Sequence, residues 1–433
     1  MPDDKHLSRP KTSLKPESYV YQSRVPSPDS RPLPVPSSRS PVPALRILML
    51  APTPYFADRG CHVRIYEEAR ALLALGHQVE IVTYHLGRDM PEIPTHRIPP
   101  IPWYRKLEAG PSWHKPYLDI LLFFKALAVA RRFRPDLIHA HLHEGAFLGV
   151  FLKLVLGVPL LLDSQGSLTT EIVDHGFCRR TSLIGRIFVS LEKFINRGAD
   201  AIITSSTPGA TDLIDTWKIP VGKVSALIDG VNTDEFRPGD RTAARRELGL
   251  PNEMPVVAFL GLFNRYQGMD LLLESIALLK ERGVPVHFLL MGFPEERYRK
   301  QAAEKGLSGM ATFTGRVDYR DAARFLAAAD LAVSPKISLT EANGKLFNYL
   351  ACGLPCLVFD TPINQEILGD CGVYASYGDA DDFALRMEEL LGDCMLRERL
   401  SATGRLKAEE SYSWLGRARE LAEVYRRLME FRR

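Results

Sequence analysis

Twice along this chain, short apolar runs alternate with longer stretches whose apolar residues recur at helical spacing. The first series starts with the run 46–50 (RILML), then a helix over 64–75, the run 78–83 (QVEIVT), a helix over 120–133 and the run 137–140. A helix near 146–156, the run 159–162, a helix near 183–196 and the run 201–205 complete it. Strands joined by helical crossovers lie parallel, and a parallel sheet needs helices on both faces, which is why its strands read as unbroken apolar runs.

The second series runs from 256–260 through a helix over 270–280, strand 286–291, a helix near 296–304 and 312–314. A helix over 320–329, strand 331–334, a helix over 345–352 and strand 356–359 continue it, and three helical patterns follow, the last from 414 to about 431. The turn-rich stretch 229–240 (DGVNTDEFRPGD) reads as the linker between the copies. The expected fold class is α/β, with two tandem doubly wound parallel-sheet domains, Rossmann-like, facing a cleft. Ligands of such sheets sit beyond the carboxyl ends of the strands, so the cleft is the expected site.

Residues 1–44 break the rhythm. They hold ten of the 31 prolines and no apolar cluster, so they cannot bury enough surface to offset their ordering entropy and are expected to be a disordered tail. The expected division is 1–44 tail, 45–238 and 239–412 domains, and 413–433 a C-terminal helix packing back. The tail carries seven Lys/Arg against four Asp/Glu, which accounts for the whole net charge of +3. A body without net charge gives no support for nucleic-acid binding. Six cysteines without metal-ligand spacing, and no signal-like N-terminus, point to reduced thiols and a cytoplasmic protein. The longest apolar run, 146–162, is broken by Lys153, Gly157 and Pro159 and is too short to span a bilayer.

Individual residues add chemistry. The loop after the first strand, 51–61 (APTPYFADRGC), offers one glycine, Gly60, where a dinucleotide fold needs three, so a nicotinamide cofactor is not expected. Gly60 serves equally as a turn that starts a helix. The stretch 334–361 (SPKISLTEANGKLFNYLACGLPCLVFDT) is more informative. Asn343 and Gly344 leave the first helical N–H groups bare, which suits a phosphate, and Lys345 adds a positive charge at the end of a helix where a cation is unfavourable without an anionic partner. Glu341 can accept from sugar hydroxyls or cap the helix. His139, His141 and His143 alternate along a strand, a pattern open to a metal, a packed cluster or a ligand contact. The segment 103–124 mixes tryptophans, basic residues and an apolar run ahead of Arg131, Arg132 and Arg134. It suits a membrane interface or a core helix with a solvated basic end.

From Arg46 onward the chain resembles the retaining GT-B glycosyltransferases of family 4, the group 1 glycosyl transferases. The resemblance rests on LALGHQVEIVT, PDLIHAH, ADAIITSS, IDGVNTDEFRPG, FLGLFNRYQGMDLLLESIALL, TFTGRV, AAADLAVSPK and EANGKLFNYLACGLPCLV, in that order. It implies transfer of a sugar from a nucleotide-diphosphate donor to a glycan or lipid-linked acceptor, without a cofactor or metal. The C-terminal domain would hold the donor and the N-terminal domain the acceptor. By the same resemblance His141, Glu341 and Lys345 are the catalytic candidates. Gly60, Gly261, Asn264, Arg265, Gln267, Arg316, Val317, Asn343, Gly344 and Asn348 would bind the nucleotide sugar. Peripheral contact with the inner membrane face is a further expectation. The chain departs from the family pattern in two places. Thr340 and Asn348 fall where two glutamates usually stand, with Glu341 serving the first if the loop shifts by one residue. Leu262 and Gln267 replace an arginine and a lysine that grip the diphosphate, leaving Arg265 and Lys345 to restore the charge. These departures also allow a catalytically silent scaffold; an epimerase acting on the same donor is a further alternative.

Overall fold

The computed structural model describes residues 43–107, 113–174, 179, 181–338 and 342–430. The tail expectation, Thr340 and Glu341 lie outside the described residues.

The first sheet contains β1 (Arg46–Ala51), β2 (Gln78–Thr83), β3 (Thr95–Arg97), β4 (Leu137–His141), β5 (Leu160–Ser164), β6 (Ala201–Thr204) and β7 (Val224–Ala226), in the order β3-β2-β1-β4-β5-β6-β7. The second contains β8 (Val256–Leu260), β9 (His287–Met291), β10 (Ala311–Gly315), β11 (Leu331–Ser334), β12 (Cys356–Phe359) and β13 (Gly372–Ala375), in the order β10-β9-β8-β11-β12-β13. Every pair is parallel, with Leu50 beside Ala140 and Val257 beside Leu331. Strand order reverses beside β1 in one sheet and beside β8 in the other. These two switch points put the loops after β1, β4, β8 and β11 at the ligand-binding ends.

Both faces of each sheet are buried. In the first, Leu48, Leu50, Ile138 and Leu160 share a core with the helices Lys115–Phe133 and Leu142–Leu156. Ile47, Met49, Leu137 and Leu161 share another with the helix Gly60–Ala74 and the last helix, Trp414–Glu430. That last helix follows the second sheet yet buries Leu421, Tyr425 and Leu428 with the first, and the Tyr425 hydroxyl meets His139 Nδ1 at 2.8 Å.

The expected helix over 320–329 is shorter, a 3₁₀ turn at Tyr319–Asp321 leading into Ala322–Leu326. The stretch 229–240 is more than a turn-rich connection. Val231 pairs with Ser413, Phe236 is buried, and Arg405 donates to the carbonyls of Phe236 and Thr233 at 2.8 and 3.2 Å. Among the described residues no helix is long and apolar enough to cross a membrane.

Candidate active site

β4 ends at His141, the last strand residue. His139 and His141 project from the same side of the strand and their rings stack with centroids 4.3 Å apart. The expected third member is absent from that face. Leu142 takes φ +63°, the chain turns into the helix Leu142–Leu156, and His143 Nε2 lies instead 3.6 Å from Glu192 Oε1.

His141 Nδ1 lies 3.0 Å from Asp163 Oδ2, at the end of β5. An ionised carboxylate only accepts, so Nδ1 carries the proton and Nε2 presents a lone pair. That Nε2 is buried and has no partner among the described residues. Burial holds the imidazole below its usual range despite the bond to Asp163, which favours the neutral ring.

Asp163 is fully buried and is held by Arg64, whose Nε reaches its two oxygens at 3.1 and 3.0 Å. Gln165 Nε2 adds a bond at 2.9 Å. Arg64 also meets Glu68 at 3.1 Å, the Leu227 carbonyl at 3.1 Å, and Asp229 through a short contact. Burial opposes ionisation of Asp163, yet the Arg64 charge and the His141 bond together push its pKa far below the usual carboxylate range. Burial raises Glu68 well above that range, against the pull of Arg64. Ligand atoms of Glu68, His139, His141 and Asp163 all fall within 4.8 Å of one another, the arrangement a metal would use. Here the Arg64 guanidinium sits among the carboxylates and supplies the positive charge, and three donors already occupy Asp163. The donor set therefore fits a salt-bridged support for His141 better than a metal centre.

Across the cleft, Lys345 opens the helix Lys345–Ala351, with Nζ 2.8 Å from Gln267 Oε1 and 4.4 Å from the centre of the Phe259 ring. No carboxylate pairs with it among the described residues. Burial, with some help from the charge of Lys336, holds its ammonium well below the usual lysine range. The loop after β8 wraps round it. Gly261 has φ +150°, and a Cβ there would lie 2.8 Å from Lys345 Nζ, so a side chain would take the ammonium's place. Asn264 Oδ1 accepts from the Gln267 N–H at 2.8 Å and so shapes the loop. Arg265 is exposed on it.

The two sides meet through Asp229. One of its oxygens binds Arg64; the other lies 3.4 Å from where a Cβ on Gly344 would stand. His141, Asp163, Arg64, Asp229 and Gly344 thus form one connected path from β4 to the residue before Lys345. Arg64, Asp163 and Asp229 are parts of the site that sequence reasoning missed. Their only sequence signals are an arginine in an otherwise ordinary helix, a carboxylate ending an apolar strand, and a turn-like aspartate.

Other candidates have different places. Asn343 turns its side chain into the core, accepting from Ser334 Oγ at 3.1 Å and donating to Asn364 Oδ1 at 3.0 Å, so only its backbone faces a ligand. Arg316 is already paired, with Nε and Nη2 at 2.8 and 2.6 Å from Asp58 Oδ2. Asp58 also takes both Arg88 nitrogens and the Tyr319 N–H, so Arg316 belongs to a clasp between the two halves. Val317 packs beside it, half-buried. Asn348 sits one turn beyond Lys345 and is 9% exposed. Gly60 begins its helix in open space, where a Cβ would meet nothing within 4 Å.

Two family models match, "Glycosyl transferase 4-like domain" over residues 59–227 and "Glycosyl transferases group 1" over residues 240–407. The chain belongs to the group 1, family 4 glycosyltransferases of the GT-B fold. It is similar to D-inositol 3-phosphate glycosyltransferase of Thermobispora bispora, with 28% identity over 86% of this chain and 90% of that one. It is also similar to sulfoquinovosyl transferase SQD2 of Arabidopsis thaliana, with 26% identity over 85% of this chain and 70% of that one. Among solved structures, sucrose-phosphate synthase of Thermosynechococcus elongatus superposes with a TM-score of 0.76 at 21% identity, covering 89% of this chain and 99% of that one. HepE of Anabaena in complex with UDP-glucose gives 0.69 at 18%, covering 88% and 99%. These two likenesses are of fold. As a member of the family, the chain is a glycosyltransferase.

Proposed function

We propose that this glycosyltransferase moves a sugar from a nucleotide-diphosphate donor to an acceptor hydroxyl with retention, in glycan, glycolipid or cell-envelope synthesis. The observation that carries this reading is the half-enclosed Lys345 ammonium, which has no carboxylate partner among the described residues. A buried cation without an anion is costly, and a diphosphate is the anion that its loop and helix can surround. Its contact with Gln267 sets it beside the position where the family's lysine is missing, which supports an enzyme over a silent scaffold. A UDP-glucose complex of a structural neighbour supports the same donor class.

In this reading the second half, 239–412, holds the donor and the first, 45–238, the acceptor. Lys345, Arg265 and the backbone at Gly344 stabilise charge developing on the leaving diphosphate. His141 Nε2 accepts from a hydroxyl of the transferred sugar, held in that tautomer by Asp163. The acceptor hydroxyl approaches the anomeric carbon on the side the diphosphate leaves, and the diphosphate takes its proton. No metal or cofactor is needed in this reading, because Lys345 and Arg265 supply the positive charge at the diphosphate.

Calorimetry with nucleoside diphosphates tests the reading. Lys345→Ala should weaken binding roughly ten- to a hundred-fold, or about 1.5–3 kcal/mol. The loss should be far smaller for the monophosphates. Full diphosphate affinity in the variant would overturn the assignment.

A further inference from the structure

Large apolar side chains are exposed at 17 described positions, and eleven of these belong to three neighbouring helices of the first half and the segment leading into them. The helices are Lys115–Phe133, Leu142–Leu156 and Leu183–Gly198. All three pack on the same core, on the side of the first sheet away from the Gly60–Ala74 helix. Their outer faces carry Ile120 and Phe124, Leu154 and Val155, and Ile187 and Phe194. The rings of Phe147, Phe151 and Phe194 form a triangle, with centroids 5.2, 6.4 and 6.5 Å apart, so the second and third helices share one apolar surface. Trp103 and Trp113 are exposed just before the first helix, at 73% and 82%. The exposed large apolar residues of the second half are fewer, Tyr377, Leu385, Met395, Leu406 and Leu415, and no two of them are closer than eight residues in sequence.

The charges on these helices are sorted by sign. Their three carboxylates are all engaged with the body of the protein. Asp119 binds the Tyr84 hydroxyl, Glu144 pairs with Lys115, and Glu192 accepts from the Thr169 N–H and hydroxyl at 2.8 and 2.6 Å. Arg131, Arg186, Lys193 and Arg197 are exposed and have no carboxylate partner among the described residues. The outer face is therefore apolar and cationic.

We infer that this three-helix face docks on the surface of an anionic lipid bilayer. Its apolar side chains enter the headgroup boundary, while its arginines and lysines meet lipid phosphates. Charge decides against a second copy of the chain as the occupant. A two-fold contact through this face would oppose the same cations with no carboxylate to pair them. The inference goes beyond the transfer reaction, since vesicle binding requires neither donor nor acceptor.

Flotation of the full chain with phosphatidylglycerol-containing vesicles, against pure phosphatidylcholine vesicles, tests it. The wild type should float with the anionic vesicles only. Arg186→Glu, Lys193→Glu and Arg197→Glu together should weaken that binding roughly a hundredfold or more, at about fivefold for each cation lost. Ile187→Ser with Phe194→Ser should also weaken it, whereas the exposed pair Lys300→Glu and Lys305→Glu in the second half should not. Circular dichroism and melting checks on every variant keep misfolding apart from lost docking. Failure of the wild type to float, or equal loss in the second-half pair, would overturn the inference. So would a wild-type dimer, seen by sedimentation, that the Ile187→Ser, Phe194→Ser variant dissociates.

Discussion

Replacing Asp163 by Asn removes one charge from a fully buried cluster and alters very little volume. Asp163 accepts from Arg64 Nε, His141 Nδ1 and Gln165 Nε2 at 2.9–3.1 Å, so both oxygens face donors. An amide can satisfy one side; its NH₂ must then face another N–H. Breaking a buried ion pair costs about 3–5 kcal/mol. Arg64 keeps Glu68 and Asp229 in this variant, which places the expected loss near the low end, about 3 kcal/mol. The comparison is Asp136→Asn, whose partner Arg46 lies 2.9 Å away but is 40% exposed, so solvent screens the pair and its loss should cost far less. Urea unfolding of both variants gives the stability difference. Initial rates of nucleotide release give the second readout, because without the carboxylate His141 loses the bond that fixes its tautomer. A stability change in Asp163→Asn no larger than in Asp136→Asn, with full turnover, would refute the argument.

Two further outcomes follow from the same geometry. His141→Ala should lower turnover far more than nucleotide affinity, because its open Nε2 belongs to the first half while Lys345 belongs to the second; steady-state rates and calorimetry separate the two effects. Glu67 bonds the Tyr319 hydroxyl at 3.1 Å, and burial pushes its pKa up to about 7. A raised folded-state pKa gives stability that is complete below the unfolded value near 4.5 and lost as pH rises to about 7, up to about 3 kcal/mol; Glu67→Gln should flatten that part of the stability–pH curve.

Much of the fold is legible in the sequence because its central strands are buried on both faces. Val256–Leu260 and Cys356–Phe359 stand in the sequence as apolar runs with sharp ends. Strands β3, β7 and β13, three or four residues long and half-exposed at sheet edges, carry no such signal. The site divides in the same way. Lys345, Gln267 and Gly261 lie in motifs whose turns and glycines can be read locally. Arg64, Asp163 and Asp229 are spread over 165 residues and become neighbours only when the helix Gly60–Ala74, β5 and the chain after β7 come together. Asn343 and Arg316 show the opposite failure. Each sits in a recognisable motif, but tertiary partners, Ser334 and Asn364 for one and Asp58 for the other, take the side chain. Residue type and spacing cannot show where a side chain's hydrogen bonds are spent.

Retaining transfer from a nucleotide diphosphate is the central claim, and water can stand in for the unknown acceptor. A panel of nucleotide α-hexoses is incubated with the protein, and proton NMR follows the first sugar released, before it mutarotates. At least one donor should release its nucleoside diphosphate with the α anomer formed first, and Lys345→Ala should lose that activity. The β anomer formed first, or no diphosphate released from any donor, would contradict the claim.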